Sequence, residues 1–250
     1  MAKPRHLKNA PITEALVDIR VKLPADVDVA KLRSLRDLIA TEYPHEQERR
    51  VFGTQFEFKP AETEIKQTPL AGKIEGHLYT SVNKTRVVQF RLDGFSFSRL
   101  KPYESWARLR EEAQRLWHLY AGATSPEMVT RVGLGYINRL EVPLPILELS
   151  EYLTAPPTVP LTLPQSMIAF LSRVAIEELS LEALAIITQA ADSLRPGSTV
   201  APIVLDINVT KDVQFSVDSA AVWETLDQLR GFKNQIFFDS VTEKTLELYQ

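Results

Sequence analysis

The chain has 250 residues, 44% of them hydrophobic and 24% charged, a composition typical of a globular protein with a sizeable core. Its formal net charge of −3 argues against nucleic-acid binding through bulk electrostatics. It has no cysteine, which excludes disulfides, thiolate zinc sites, iron–sulfur clusters and cysteine nucleophiles, and which fits a cytoplasmic protein. No apolar run follows the N-terminal stretch or approaches ~18 residues elsewhere, so we expect no signal peptide and no membrane span.

Residues 1–14 are predicted to form an irregular arm, and a half-buried strand follows at 15–23, where apolar and polar residues alternate. A helix comes next, capped by Asp26 or Asp28 and stopped by Pro44, because apolar residues recur there at helical spacing. Three further strands and a long amphipathic helix are predicted at 51–58, 73–81, 87–99 and 104–121.

Residues 129–142 predict one long strand with two different faces, because side chains alternate along a strand. One face is apolar and requires a core. The opposite face carries two arginines, a glutamate and two glycines: Arg131, Gly133, Gly135, Arg139 and Glu141. Glycines on a strand leave room for a ligand or another backbone to approach closely, so this face is the first candidate for a binding surface.

A short helix at about 146–153 and a stiff, proline-rich connection at 154–166 are predicted next. Residues 168–178 and 181–191 are predicted as two strands of a hairpin, with two helices as the alternative because good helix formers occur there. The last predicted elements are a strand at 200–210, an amphipathic helix capped by Asp218 or Ser219, and a terminal helical turn with a capping box at Ser240–Glu243.

The predicted elements repeat in order, which suggests an internal duplication. We therefore expect an α+β fold of two similar halves, each of order β-α-β-β-β-α, with antiparallel sheets and helices packed on one face. The halves would be 1–128 and 129–250, the second containing the proline-rich connection, and each ends in a helix with a tryptophan near its start, Trp106 and Trp223. The alternative is that any α+β chain of this length gives two similar halves by chance.

No catalytic constellation is recognisable. The serines lack a plausible base, and the four histidines lack metal-ligand spacing. Asp206 and Asn208 share a strand face and could hold a metal ion, but the exposed side of an edge strand is the better explanation for them. We therefore predict no catalytic residue, no metal ligand and no cofactor.

What remains is a set of polar residues on strands, from which we predict a groove that binds an anion. Arginine suits this role because its planar guanidinium donates several hydrogen bonds at once. The predicted ligand-binding residues are Arg91, Arg99, Arg131, Tyr136, Asn138 and Arg139. The alternative is a solvent-facing sheet surface or a structural network of ion pairs.

Four segments resemble the marker segments of a sporadically distributed prokaryotic family of uncharacterised proteins of about this length. They are Asn9–Ala15, Gly94–Trp106, Arg131–Pro143 and Asp239–Leu246. The resemblance spans nearly the whole chain and implies a cytoplasmic prokaryotic protein, but it implies no activity. The patchy distribution of the family suggests a defence or toxin–antitoxin context.

Three hypotheses of function follow. The first is a non-enzymatic protein that recognises an acidic ligand or protein partner and self-associates through a sheet edge. The second is a metal-dependent enzyme or nuclease-like effector that uses scattered acids such as Asp93, Glu141 and Asp206. The third is a structural subunit of an oligomer.

Overall fold

The computed structural model describes residues 3, 5–51, 54–57, 66–69, 72–191, 194 and 197–250. Among them, nine strands form one antiparallel sheet in the order β2-β5-β6-β7-β1-β8-β11-β10-β9, and β3 pairs with β4 separately. The strands are β1 Ile12–Lys22, β2 His45–Val51, β3 Thr54–Glu57, β4 Lys66–Pro69, β5 Lys73–Thr80, β6 Arg86–Arg91, β7 Gly94–Leu100, β8 Met128–Pro143, β9 Phe170–Glu178, β10 Ala183–Ala191 and β11 Val200–Phe215. The α+β class is confirmed.

The helices lie on one face of the sheet, which we call the covered face. They are α1 Val29–Arg33, α2 Arg36–Ile39, α3 Trp106–Thr124, α4 Ala221–Ser240 and α5 Glu243–Glu247, with a short 3₁₀ turn at Leu149–Glu151. α3 packs against β7 and β1, and α4 packs against β8 and β11. We call the opposite face of the sheet the open face.

The sheet has its longest strands near its centre, where β8 lies between β1 and β11. The predicted alternation along β8 is confirmed: Val132, Leu134 and Leu140 are buried on the covered face, whereas Arg139 and Glu141 are exposed on the open face. A one-residue shift in register would bring the charges into the core, so this pattern fixes the pairing of the central strands.

Aromatic side chains fill the core between α3 and the sheet. Phe90 and Phe95 come from β6 and β7, Trp117 and Tyr120 come from α3, and all four are at most 1% exposed. Their ring centroids lie 5.7 to 6.2 Å apart. Burial of each such side chain contributes about 2 to 3 kcal/mol, so this cluster holds α3 on the sheet.

The predicted strand at 87–99 is wrong, because the chain reverses at Leu92 and Asp93 to form the hairpin of β6 and β7. Gly94 makes the reversal: its φ is +147°, and a Cβ there would collide with the carbonyl oxygen of Ile19. The reversal changes which side chains share a face. Arg91 therefore lies on the open face and Arg99 on the covered face.

Other predicted elements differ in detail. The first helix is broken into α1 and α2, and Asp28 is its cap, since its side chain accepts a hydrogen bond from the Lys31 N–H. The terminal helix is capped by Thr242 and not from Ser240, and the helix predicted at 146–153 is reduced to the 3₁₀ turn. The strands predicted at 168–178 and 181–191 are confirmed as a hairpin. The strand predicted at 51–58 lies partly outside the described residues.

Candidate functional site

A cavity of about 470 Å³ opens between the N-terminal arm, the start of α3, the middle of β8 and the second half of α4. Its wall includes Trp106, Phe237 and Phe238, which supply apolar surface, and Asn138 and Lys233, which supply polar groups. This volume and this mixture are those of a pocket for a small molecule.

The N-terminal arm is held over the cavity by contacts with the end of the chain. Glu243 in α5 accepts hydrogen bonds from the backbone N–H of Lys3 and from Arg5 Nη1, each at 2.6 Å. The backbone N–H of Asn9 donates to the carbonyl of Tyr249 at 3.2 Å. The arm is therefore a fixed wall of the cavity.

Lys233 is the unusual residue of the cavity. It is 7% exposed, yet within the part of the chain that the structure describes its ammonium group has neither a carboxylate partner nor a hydrogen-bond acceptor. Its Nζ lies 3.8 Å from the centroid of the Tyr136 ring, and this cation–π contact favours the charged form. Burial acts in the opposite direction and, together with the positive charge of Arg230, lowers the pKa of Lys233 to about 7.

Lys233 occupies a position that the helical pattern assigns to the core. The buried stripe of α4 runs through Leu226, Leu229, Lys233 and Ile236 at intervals of three or four residues. A lysine within an apolar stripe was the signal in the sequence that our prediction missed. A charge on a helix usually points to solvent, which is why it was overlooked.

Two tyrosines extend the polar lining beside Lys233. The hydroxyl groups of Tyr103 and Tyr136 lie 3.3 Å apart, so one donates to the other, and the rings meet edge to face. Burial raises the pKa of both hydroxyls, so both stay neutral hydrogen-bonding groups at ordinary pH. Asn138 is 2% exposed and donates from Nδ2 to the carbonyl of Leu205 at 3.0 Å, which fixes its orientation.

The charges around the cavity are predominantly positive. Arg230 is exposed at its rim and forms no ion pair within the described residues, whereas Arg5 is paired with Glu243. The acidic residue of the lining, Glu104, is bound 2.5 Å from Arg99. Arg230 and Lys233 thus leave an uncompensated positive potential, which attracts an anion.

The six predicted ligand-binding residues are divided between the two faces of the sheet. Tyr136 and Asn138 lie on the covered face, at or beside the cavity. Arg139 lies on the open face, 3.5 Å from Glu141.

Arg91 and Arg131 belong to a cluster of charges on the open face. Asp18 accepts from Arg91 at 2.5 Å, from Arg20 at 3.2 Å and from Arg131 at 3.3 Å. Asp93 pairs with Arg20 and, at 3.1 Å, with Arg91. Burial would raise the pKa of Asp18, but the positive charges of Arg91, Arg20 and Arg131 outweigh it and hold that pKa below its usual value.

Arg99 lies in a second cavity, of about 390 Å³, which is also lined by Arg86, Arg115 and Glu112. Its charges are largely matched: Glu112 lies 2.8 Å from Arg115 and 3.3 Å from Arg86. Tyr43 donates to the same carboxylate at 2.6 Å. Because the arginines here are already paired with carboxylates, this cavity has less uncompensated positive charge to bind an anion than the cavity at Lys233.

No group of three or more histidine, aspartate or glutamate side chains in the described ranges is arranged to hold a metal ion. No described helix is both long enough and apolar enough to cross a bilayer. A scan against models of protein families finds no match to this chain, and a search of curated proteins finds none either.

Proposed function

We propose that this is a binding protein that takes a small acidic ligand into the cavity beside Lys233. The observation that carries the proposal is a lysine side chain that is nearly wholly buried, lines a cavity and has no carboxylate partner within the described residues. A buried charge without a partner costs several kcal/mol, and an anionic ligand would compensate it. Arg230 at the rim would add a second positive charge and steer the anion inward.

The wall of the cavity also limits the kind of ligand. Trp106, Phe237 and Phe238 offer apolar surface in the same cavity as the polar groups. We therefore expect an anion with a carboxylate or phosphate head and an apolar or aromatic body. The head would replace the missing partner of Lys233, and the hydroxyl of Tyr103 would be available as a neutral hydrogen-bond donor or acceptor.

A non-enzymatic role is supported by the state of the acids on which the enzyme hypothesis depends. Asp93 is engaged by Arg20 and Arg91, and Glu141 lies beside Arg139. Asp206 stands on the open face, on another strand. Carboxylates held by arginine are poor ligands for a divalent metal, because the guanidinium groups already occupy their oxygens.

The proposal is tested by calorimetry with phenyl phosphate and benzoate as anions and with benzyl alcohol as the neutral probe. Both anions should bind, and K233M should weaken them at least about tenfold, since a charge-assisted hydrogen bond is lost. Affinity should decrease as pH rises through the pKa of Lys233, because the neutral amine no longer compensates the anion. The matched control is K244M, at an exposed lysine over the Tyr152 ring. Equal binding by K233M, or binding of benzyl alcohol alone, would refute the proposal.

We also propose that the two halves are related by duplication. The strand order supports it: the first strand of each half, β1 or β8, lies beside the last strand of that half, β7 or β11, and the two first strands join the halves. The first half has one more strand in this sheet than the second.

Several features stay predictions: the halves 1–128 and 129–250, the family resemblance, the cytoplasmic location and the defence or toxin–antitoxin context. A toxin gene beside this one would support the last of these.

A further inference from the structure

The two edge strands of the nine-stranded sheet are protected to very different degrees. β2, at one edge, carries Glu48, Arg49 and Arg50 and has a register shift between the two arginines. Charges and irregular register oppose pairing with the strand of another molecule. β9, at the other edge, also carries charges, but it contains no lysine, proline or glycine and pairs with β10 in unbroken register.

β9 also exposes apolar side chains that no helix covers. Leu171 is 74% exposed, Val174 50% and Ile176 38%. Val174 and Ile176 face the same side as the helices, but α4 packs against β8 and β11 and does not reach this edge. Within the described residues, the outer backbone groups of β9 make no hydrogen bond to another strand or loop.

We propose that β9 pairs in antiparallel orientation with β9 of a second copy of this chain. The twofold axis would pass through Ala175, so that residues equally distant from Ala175 lie opposite each other. In this register Arg173 of one copy faces Glu177 of the other, twice, and Val174 faces Ile176, twice. The two nine-stranded sheets would become one continuous sheet with all helices on one side.

The charges select both the partner and the register. Arg173 and Glu177 are exposed, lie on the open face, and form no ion pair in the described part of the chain. A centre shifted by one residue, to Val174 or Ile176, would place both charges opposite apolar side chains. Only the register centred on Ala175 places opposite charges across from each other and apolar residues across from apolar residues. A strand that is complementary to itself in this way fits a second copy of the same strand.

The test is sedimentation equilibrium of the full chain over a range of concentrations. The wild type should be a dimer. R173E and E177R should each raise the dimer dissociation constant at least about tenfold, because each puts like charges opposite each other at two positions of the interface. The double variant R173E/E177R should restore the dimer, because it re-forms both pairs with the charges exchanged.

The matched control is R50E, which makes the same change of charge on the protected edge strand β2 and should leave the dimer intact. Residues 173 and 177 are exposed, so we expect the substitutions to disturb no core contact and each variant to fold. Circular dichroism and thermal unfolding check that each variant is folded. A monomeric wild type would overturn the proposal. So would single variants that dimerise normally, or a double variant that fails to recover.

Discussion

Replacement of Lys233 by methionine should stabilise the protein in a pH-dependent manner. The pKa of Lys233 is about 7 in the folded chain, compared with about 10.4 for an unperturbed lysine. At 1.36 kcal/mol for each unit, burial of the charged group costs at most about 4 to 5 kcal/mol below pH 7. Loss of the cation–π contact with Tyr136 offsets about 1 to 2 kcal/mol of this, so K233M should gain about 2 to 4 kcal/mol at about pH 6.

The sign of the pH dependence follows from proton binding. Between about pH 7 and pH 10 the unfolded chain holds a proton on Lys233 that the folded chain has released, so wild-type stability rises with pH in that interval. K233M lacks this group. The advantage of K233M should therefore decrease by about 2 to 3 kcal/mol between about pH 6 and about pH 9.

Urea unfolding followed by tryptophan fluorescence at these two pH values measures the difference. K244M is the control, because Lys244 also lies over a tyrosine ring, that of Tyr152 at 4.7 Å, but its side chain is 51% exposed and its charge is already paired with Glu151. Its effect on stability should be small and nearly the same at both pH values. If K233M and the wild type differ by a constant amount at all pH values, Lys233 is not buried as a charge and the reasoning fails.

Two further predictions concern the open face and the β6–β7 turn. D18N should destabilise the fold by about 3 kcal/mol, because it leaves Arg91, which is 5% exposed, without its closest carboxylate. The stabilisation by Asp18 should be complete above about pH 4 and should be lost as pH falls through its lowered pKa. The difference in unfolding free energy between the wild type and D18N should therefore shrink in acid, and a difference that stays constant with pH would contradict this. G94A should cost at least about 2 kcal/mol in urea unfolding, since its φ of +147° is unfavourable for alanine and the added Cβ meets Ile19, whereas G122A, in a helix with open space around it, should be neutral or stabilising.

Local patterns in the sequence predicted those elements whose side chains follow one simple period. β8 was predicted because apolar and polar residues alternate along most of its length, interrupted only by a bulge near Arg131. α3 was predicted from its apolar stripe, but it continues past the predicted end at Gly122 to Thr124. The turn between β6 and β7 was missed because apolar residues continue to alternate through Leu92, which concealed the Asp93–Gly94 turn signal.

The candidate site could be predicted only in part, because it is assembled from distant segments. Tyr136 and Asn138 were chosen from their strand, but nothing in the chain order places them next to Lys233 or the N-terminal arm. Arg91 and Arg131 were expected to meet a ligand. Both are instead paired with Asp18, and this partner could be identified only once β1 was known to lie between β7 and β8.

The position of β1 has a consequence for how the chain reaches its native state. The hairpins β5–β6–β7 and β9–β10–β11 join neighbours in the sequence, whereas β1 must find β7 and β8 across long stretches of chain. Closing such long loops costs conformational entropy before the strands make any stabilising contact. We therefore expect the outer hairpins to form early and the pairing of β1 with β8 to limit the folding rate. The middle of the sheet would then be the last part to assemble.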